Sequence, residues 1–426
     1  MTSMIHLVHF ADAHIDMARQ GRRDPESGLP LRVLDFLYAL DTIIDFAVHQ
    51  PADLVIFAGD AYRDRTPAPT YQREWGRRMM RLSEAGVETV LLVGNHDVSP
   101  AVGRAHTLHE FDTLNVPHMH VIRKPRLLGP QDLGGLPVQV IGVPWMNRSN
   151  MLAAMDGGSG SVEEVNRQIE QYLTQAIEDY LDSLDPDLPA ILTSHISVQG
   201  AMYGNERSVM LGRDMVLSPA IVKDKRLDYV ALGHIHKHQD LNIDGHHPVV
   251  YPGSIERVDF GEINDKKYFI TARIEKGKKT TYEAIPLQGR KFISKLVQVT
   301  EADKVQEQIM EALPDGEEMA DAMFRMILSY PREWEPMIDE EAIRHACESA
   351  FAFHLVRRPV SESRLRLPDD VLVGKLTHAQ LLEKYWETIN TDTDEVEIMT
   401  RMAGEIIQSV EIGAQGGVSD NLDGTP

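Results

Sequence analysis

The sequence predicts an α/β fold, a two-sheet sandwich followed by a small α+β unit and a C-terminal helical segment. Three observations carry this. Between residues 4 and 285, short apolar runs rich in β-branched residues alternate with longer stretches of helical period. After Gly233 the alternation gives way to a strand-rich text, which suits a second sheet. Polar residues of metal-binding type follow the apolar runs directly. That puts them beyond the carboxyl ends of buried strands, where open α/β sheets bind ligands.

Taken in order, strands are expected at 5–10, 53–58, 89–93, 138–143, 190–194 and 228–232. Helices are expected at Leu31–His49, Tyr71–Ala85 and Val162–Leu184, with Gly157 to Ser161 read as a flexible surface loop. Strands Pro248–Tyr251 and Lys267–Ile274 follow, the latter ahead of a hairpin-like Glu275-Lys276-Gly277. The stretch 286–372 reads as strand 292–299, helix 301–313, strand 323–330, helix 339–352 and strand 353–358. Two amphipathic helices, Ala379–Asn390 and Asp394–Ile412, carry the stripes Leu381, Leu382, Tyr385, Trp386, Ile389 and Val396, Met399, Met402, Ile406, Val410. The Gly-rich polar tail 413–426 is expected to be disordered. The domains implied are 1–285, 286–372, 373–412 and 413–426.

Five segments concentrate the chemistry: Asp12-Ala13-His14, Gly59-Asp60, Gly94-Asn95-His96-Asp97, Ser194-His195 and Gly233-His234-Ile235-His236. Singly, each has an ordinary explanation: a helix cap, a turn tolerant of left-handed backbone, a core histidine. Together, each behind a strand-like run, they would gather carboxylates, one amide and five imidazoles on one rim, four of the imidazoles in ligand positions. Such a set can hold two divalent cations. His6, His9, His49, His106, His118, His246 and His247 lie outside these segments and read as ordinary surface or core residues.

The motif order resembles the calcineurin-like metallophosphoesterase superfamily, with its D-x-H, G-D, G-N-H-D/E, H and G-H-x-H pattern. More narrowly, Tyr251-Pro252-Gly253-Ser254-Ile255-Glu256-Arg257 followed by Asp259-Phe260-Gly261-Glu262 resembles the SbcD-type nucleases of double-strand-break repair. The resemblance covers residues 4 to 285 and, beyond them, domain order only. It implies that Asp12, His14 and His236 hold one metal and Asn95, His195 and His234 the other, with Asp60 bridging. It places His96 over the scissile phosphate, to stabilise the transition state and protonate the leaving oxygen. Asp97 would orient the His96 loop; Asp16 reads equally well as a cap. Oxygen ligands mixed with imidazole suit Mn²⁺, with Zn²⁺ or Fe compatible by ligand type. The activity implied is 3′–5′ exonuclease and single-strand or hairpin endonuclease. Residues 286–372 would be a DNA-binding cap, and the C-terminal helices would bind an SbcC-type SMC-like ATPase. Some relatives carry a histidine three residues after the bridging aspartate; here the position is Arg63, which leaves the exo/endo balance open.

Composition bounds the rest. A chain of 426 residues with 42% hydrophobic content suits two or three domains. No apolar run approaches the roughly 18 residues of a membrane span, no secretory leader is legible at the N-terminus, and the one cysteine, Cys347, excludes an internal disulfide. A cytoplasmic protein, nucleoid-associated when bound to DNA, is expected. The net charge of −22 argues superficially against a nucleic-acid partner. However, acidic residues concentrate at Glu301–Glu341 and Glu383–Glu411, while basic ones cluster elsewhere. Arg22 and Arg23 with Arg19, and Arg63 and Arg65 past Asp60, are candidate phosphate contacts. Arg73, Arg77, Arg78 and Arg81 read equally as a solvated helix face, and Lys276 to Lys295 form a later basic stretch. A homodimer is expected through Tyr71–Ala85 and Arg104–Leu114, where Met79, Met80, Leu82, Leu108, Phe111 and Leu114 stand on otherwise polar helices. Competing functions are a phosphodiesterase of small substrates or a protein phosphatase, and a non-catalytic scaffold for the ATPase.

Overall fold

A computed structural model describes residues 4–17, 21–98, 105–146, 162–204 and 216–360, with positions 377, 380, 382, 386, 396 and 399–403. The expected loop 157–161, the tail 413–426, Arg19 and most of the two C-terminal helices lie outside the described residues. Gln380, Leu382, Trp386, Val396 and Met399 to Ala403 are helical where described. The Thr377 hydroxyl accepts from Gln380 N, and the Gln380 amide oxygen accepts from Thr377 N, a reciprocal cap that opens a helix there.

The chain divides into two compact units, one of 1–294, 314–325 and 347–353, the other of 295–313, 326–346 and 354–426. The first is a two-sheet sandwich. In one sheet β1 (Ile5–Phe10), β2 (Leu54–Phe57), β3 (Glu88–Leu92) and β4 (Met119–Ile122) run parallel. On the far side of β1, β13 (Lys267–Ile274) and then β14 (Thr281–Leu287) extend that sheet antiparallel. The other sheet is ordered β11 (Gln239–Asp240), β12 (Val249–Tyr251), β10 (Tyr229–Gly233), β7 (Ala190–His195), β6 (Gln139–Val143), β5 (Arg126–Leu128), with its four middle strands parallel. A short parallel pair, β8 (Ser197–Val198) and β9 (Val216–Leu217), lies apart.

Strand alternation sorts the core into layers. Ile5 and Leu7 of β1 join Ile56, Val90, Ile191 and Tyr229 between the sheets. Val8 and Phe10 turn outward onto α1 (Leu31–His49) and α2 (Pro69–Glu84). On the outer face of the second sheet, Val165, Ile169, Leu173, Ile177 and Leu181 of the helix Val162–Asp182 cover Ile141, Leu192 and Val230. The fully buried His9 lies between the sheets, its Nδ1 3.0 Å from the Tyr229 hydroxyl. Burial pushes its pKa down to about 3.

Three expected helices are shorter, the one expected at 301–313 becoming a 3-10 turn Ala302–Lys304 and the helix Val305–Glu311. The helix expected to end at 352 spans Glu340–Ala346. Its chain then turns through Cys347–Ala350, and Phe351 N bonds to the Ala322 carbonyl before β17 (Ala352–Val360) begins. Of Arg104–Leu114, α3 takes only His109–Thr113; Arg104 lies outside the described residues. The preceding residues are drawn toward the motif loop, where Thr107 N donates to the Asp97 carbonyl. β15 (Phe292–Gln298), β16 (Met323–Pro331) and β17 form a three-stranded sheet in that order. In the second unit Val305 and Ile309 of the helix Val305–Glu311 are buried, as are Met326, Leu328 and Tyr330 on alternate positions of β16. No helix among the described residues is long and apolar enough to cross a membrane.

Candidate two-metal centre

Five strand ends meet at one rim of the sandwich. Asp12 and His14 follow β1, Asp60 follows β2, and Asn95 and His96 follow β3, while His195 and His234 lie at the ends of β7 and β10. Asp12, His14, Asp60 and His234 all have positive φ, at 52, 40, 66 and 96°. Left-handed backbone at non-glycine residues is a strained arrangement held by its surroundings. Here the surroundings are crossed loops: Asp12 N donates to Gly59 O at 2.9 Å, and Ala13 N to Asp60 O at 2.9 Å. Gly94 must be glycine, because a Cβ there would collide with the Asp60 carboxylate.

The seven expected ligands come together. His14 and His236 face each other through Nε2 atoms 3.2 Å apart, each 4.0 Å from Asp12 Oδ1. On the other side His195 Nε2 and His234 Nδ1 lie 2.9 and 3.0 Å from Asn95 Oδ1. Asp60 Oδ2 stands between these groups, 3.3 Å from His195 Nε2 and 3.9 Å from His14 Nε2. Two triads, Asp12–His14–His236 and Asp12–Asp60–His195, bring ligand atoms within 4.8 Å of one another. Three of the imidazoles have a fixed tautomer. A carbonyl can only accept, so Nδ1 of His14 donates to Tyr62 O (3.3 Å) and Nδ1 of His195 to Ala58 O (2.6 Å). Nδ1 of His236 donates to Glu262 Oε1 (2.8 Å). All three therefore keep a proton on Nδ1 and turn Nε2 inward, the nitrogen that binds a metal once any proton on it has left.

Electrostatics favour a cation at this cluster. Burial raises the Asp12 carboxyl, while against that penalty His195, His96 and His14 hold Asp60 well below the carboxylate range. Burial depresses His14, but Asp60 carries His195 up to about 9 despite its burial. Two fully buried carboxylates flanked by imidazoles make a natural cation site, because buried charge requires a counter-charge.

His96 is half-buried beside this cluster, its ring 5.2 Å from that of His14. Its Nδ1 donates to the Arg63 carbonyl at 2.7 Å, leaving Nε2 as the working nitrogen. Asp97 lies beneath and does more than orient the His96 loop. It accepts from Gly94 N (2.9 Å), Asp60 N (2.9 Å), Ala61 N (3.1 Å) and Thr107 Oγ1 (2.8 Å), tying the second and third motif loops together. Asp16 accepts from Arg63 N at 2.6 Å and Asp64 N at 3.3 Å, which makes it a loop cap.

The candidate phosphate contacts divide. Arg63 and Arg65 are exposed on the loop that carries the His96 partner carbonyl. Arg22 instead donates to the carbonyls of Ala350 and Phe351, and Arg23 to that of Gly28. On α2, Arg78 and Arg81 pair with Asp41 of α1, and Arg73 and Arg77 with Glu74. These four serve the solvated α1–α2 face.

Two neighbours of the cluster were not assigned a role from sequence. The Trp145 ring packs on His234 at 5.2 Å, and its backbone N–H reaches across the sheets to Val93 O at 2.9 Å. Its place just after β6 was the available signal. Glu262 backs His236 and is itself paired with buried Lys267 at 2.7 Å; its signal was the Phe260-Gly261-Glu262 run.

A model of the calcineurin-like phosphoesterase family matches residues 5–238. The chain belongs to this family. Among curated relatives of this phosphoesterase, the SbcD component of nuclease SbcCD from Escherichia coli (strain K12) is 28% identical over 256 residues, 57% of this chain and 60% of the relative. The DNA double-strand break repair protein Mre11 of Archaeoglobus fulgidus is 26% identical over 257 residues, 60% of this chain and 51% of that one. The chain thus spans about 60% and half of these relatives' lengths. Among solved structures, TT1561 of Thermus thermophilus matches with a TM-score of 0.39 and 15% identity, covering 67% of this chain and all of that one. A dimetal phosphatase from Danio rerio matches with a TM-score of 0.35 and 10% identity, covering 67% of this chain and 99% of that one.

Proposed function

We propose that this metallophosphoesterase is a two-metal phosphodiesterase that cuts DNA, the nuclease subunit of a DNA end-processing complex. The carrying observation is the position of Asp60 Oδ2 between His14 and His195, with imidazole, carboxylate and amide donors gathered on either side. Asp12, His14 and His236 would hold one cation, Asn95, His195 and His234 the other, and Asp60 both. Bound there, two divalent cations, Mn²⁺ by the mixed oxygen and imidazole donors, would supply Lewis acidity that activates water and neutralises charge on the phosphodiester. The chain's own part follows from its hydrogen bonds. A carbonyl or carboxylate takes the Nδ1–H of His14, His195 and His236, so each ring is held with Nε2 toward the cations and would give up any Nε2 proton on binding them. His96, held through Nδ1 by the Arg63 carbonyl, carries its mobile proton on Nε2 and delivers it to the leaving oxygen. Arg63 and Arg65, exposed on the same loop, bind flanking phosphates.

DNA as substrate is supported by the Tyr251–Arg257 and Phe260–Glu262 runs and by the names of the relatives, a nuclease and a double-strand break repair protein. On the same footing we propose the 3′–5′ exonuclease and single-strand or hairpin endonuclease activities, and an SbcC-type ATPase partner docked on the helices within 373–412. A DNA-binding role for residues 286–372 and a homodimer through α2 and α3 belong to the same reading; of the apolar residues expected to carry the dimer, Met79, Leu82, Leu108 and Phe111 are buried in the chain's own core and Leu114 is exposed. Light scattering that reports a monomer at micromolar concentration overturns the dimer. The test of function is cleavage of end-labelled single-stranded and hairpin DNA across Mn²⁺, Mg²⁺, Zn²⁺ and Fe²⁺, beside bis-p-nitrophenyl phosphate. Manganese-dependent DNA cleavage is expected; hydrolysis of the small ester alone would favour a small-substrate phosphodiesterase, and no hydrolysis at all a scaffold.

A further inference from the structure

The segment after the last ligand motif folds back beneath His236. Gly253, with φ of 85°, allows the chain to pass the His236 backbone, and a Cβ there would press on the His236 carbonyl. The Asp259 side chain accepts from Gly261 N at 2.6 Å and opens the single 3-10 turn Phe260–Glu262. That turn delivers Glu262, 3% exposed, to His236. Oε1 takes the Nδ1–H of His236 at 2.8 Å; Oε2 accepts from Lys267 Nζ at 2.7 Å, Val258 N at 3.0 Å and Ser254 Oγ at 3.3 Å. Lys267, 2% exposed at the start of β13, also donates to Ser254 Oγ at 2.7 Å and to the His236 carbonyl at 3.2 Å.

This support is unlike that of His14 and His195. His14 and His195 rest on neutral backbone carbonyls, whereas His236 rests on a carboxylate that is itself neutralised by a buried ammonium. A buried carboxylate and ammonium are costly to desolvate and add little net stability, so fold stability alone gives weak reason to place them here. A carboxylate behind an imidazole fixes the ring and makes its far nitrogen a stronger donor, and loss of such a partner costs about 10–100-fold in metal affinity. The lysine lets the carboxylate do this without adding a net negative charge to the rim.

We infer that Glu262 and Lys267 act as one positioning unit that sets the affinity of the cation position bounded by Asp12, His14 and His236, so that the two positions fill unequally. The inference rests on the two-metal reading above. The unit makes two separable contributions, an acceptor for Nδ1–H and a balanced charge. Glu262→Gln keeps the acceptor but leaves the buried Lys267 cation facing the site without its partner. Glu262→Gln with Lys267→Met keeps the acceptor and restores neutrality.

The experiment is calorimetric titration of the metal-free full-length chain with Mn²⁺, with the bound ions counted in parallel by the loss of the free-Mn²⁺ electron paramagnetic resonance signal. The wild-type chain is expected to bind two ions in separable steps. Glu262→Gln should weaken the tighter step about 10–100-fold and leave the other unmoved, and the double variant should recover much of the loss. Thermal melts of the metal-free variants report folding, and Glu262→Asp supplies a second probe if the glutamine variant fails to fold. A folded Glu262→Gln that binds both ions with wild-type affinities overturns the inference while leaving the two-metal reading intact. Wild-type protein that binds no Mn²⁺ overturns that reading itself.

Discussion

Replacing Asp97 by alanine should destabilise the metal-free protein and disorder two ligand loops at once. The Asp97 side chain is fully buried and accepts from three backbone N–H groups, those of Gly94, Asp60 and Ala61, and from the Thr107 hydroxyl. Alanine leaves the three N–H groups buried without acceptors, at about 2 kcal/mol each, or about 6 kcal/mol. One term opposes this. Burial, helped by the nearby Asp60 charge, raises the Asp97 carboxyl from 3.8 to about 6. Its ionised form at pH 7.5 therefore costs about 3 kcal/mol at 1.36 kcal/mol per pH unit, and alanine removes that cost. The net loss at pH 7.5 is about 3 kcal/mol, a fall in Tm of about 6–12 °C.

The pH dependence makes the reasoning falsifiable. A carboxyl raised in the fold binds its proton more tightly there than in the unfolded chain. Its contribution to stability is full below about pH 3.8 and is lost as pH rises through about 6. Wild type should therefore gain on the variant as pH falls, by about 1.4 kcal/mol between pH 7.5 and 5. Urea unfolding of metal-free protein at the two pH values, followed by tryptophan fluorescence, measures both quantities. A loss below about 1 kcal/mol at pH 7.5, or a gap that narrows at pH 5, refutes the assignment of Asp97 as the clamp between the loops.

The remaining expectations concern chemistry, the core and the C-terminus. His96→Ala should lower DNA cleavage by about 10²–10⁴-fold while metal content by plasma mass spectrometry stays at two ions; loss of an ion would make His96 a ligand. Asp60→Ala should lose activity and metal together, and a variant retaining both ions sinks the bridging role. His9→Leu should flatten the acid limb of stability. Burial depresses this imidazole to about 3, so the wild type loses stability as pH falls below 6.5, about 2.5 kcal/mol between pH 7 and 4.5; an unchanged slope in the variant counts against a neutral His9. Truncation after Val373 should keep manganese-dependent cleavage of short single strands and abolish co-purification with the ATPase; a truncated chain that still binds the ATPase removes the docking role of the helices.

Much of the fold was legible because local pattern and tertiary role agree. β1 and α1 have the expected bounds, Ile5–Phe10 and Leu31–His49, because apolar runs end at polar motif residues and Pro30 pre-sets the helix start. β4 and β5 were missed: four and three residues long, with His120 and Arg126 inside them, they have too little alternation to register. Helix 339–352 was read too long because Cys347–Ala350 is compatible with helical pattern, yet Phe351 hydrogen-bonds to Ala322 instead. The ligand set was legible as a list, since spacing behind strands indicates residues at one rim. Its supports were not. That Glu262 lies under His236, that Lys267 neutralises it, and that Asp97 joins loops 37 residues apart are contacts between distant segments, which periodicity does not encode.

The rim is held in place from both sides, and this bears on how metal and fold are coupled. Left-handed backbone at Asp12, His14, Asp60 and His234 costs about 1–3 kcal/mol per residue, and these are the residues whose carboxylates and rings converge. The cost is met locally: Asp12 accepts from His234 N at 3.0 Å, Asp60 accepts from His96 N at 2.8 Å, and Asp97 receives the turn that carries Asp60. Each ligand carboxylate thus also serves as a backbone acceptor that shapes a neighbouring motif. A cation that binds this arrangement need not organise it, since the ligand atoms of the triads Asp12–His14–His236 and Asp12–Asp60–His195 already stand within 4.8 Å of one another. Its binding free energy then goes into neutralising Asp12 and Asp60, and appears as added stability of the folded chain in proportion to the logarithm of its concentration over its dissociation constant.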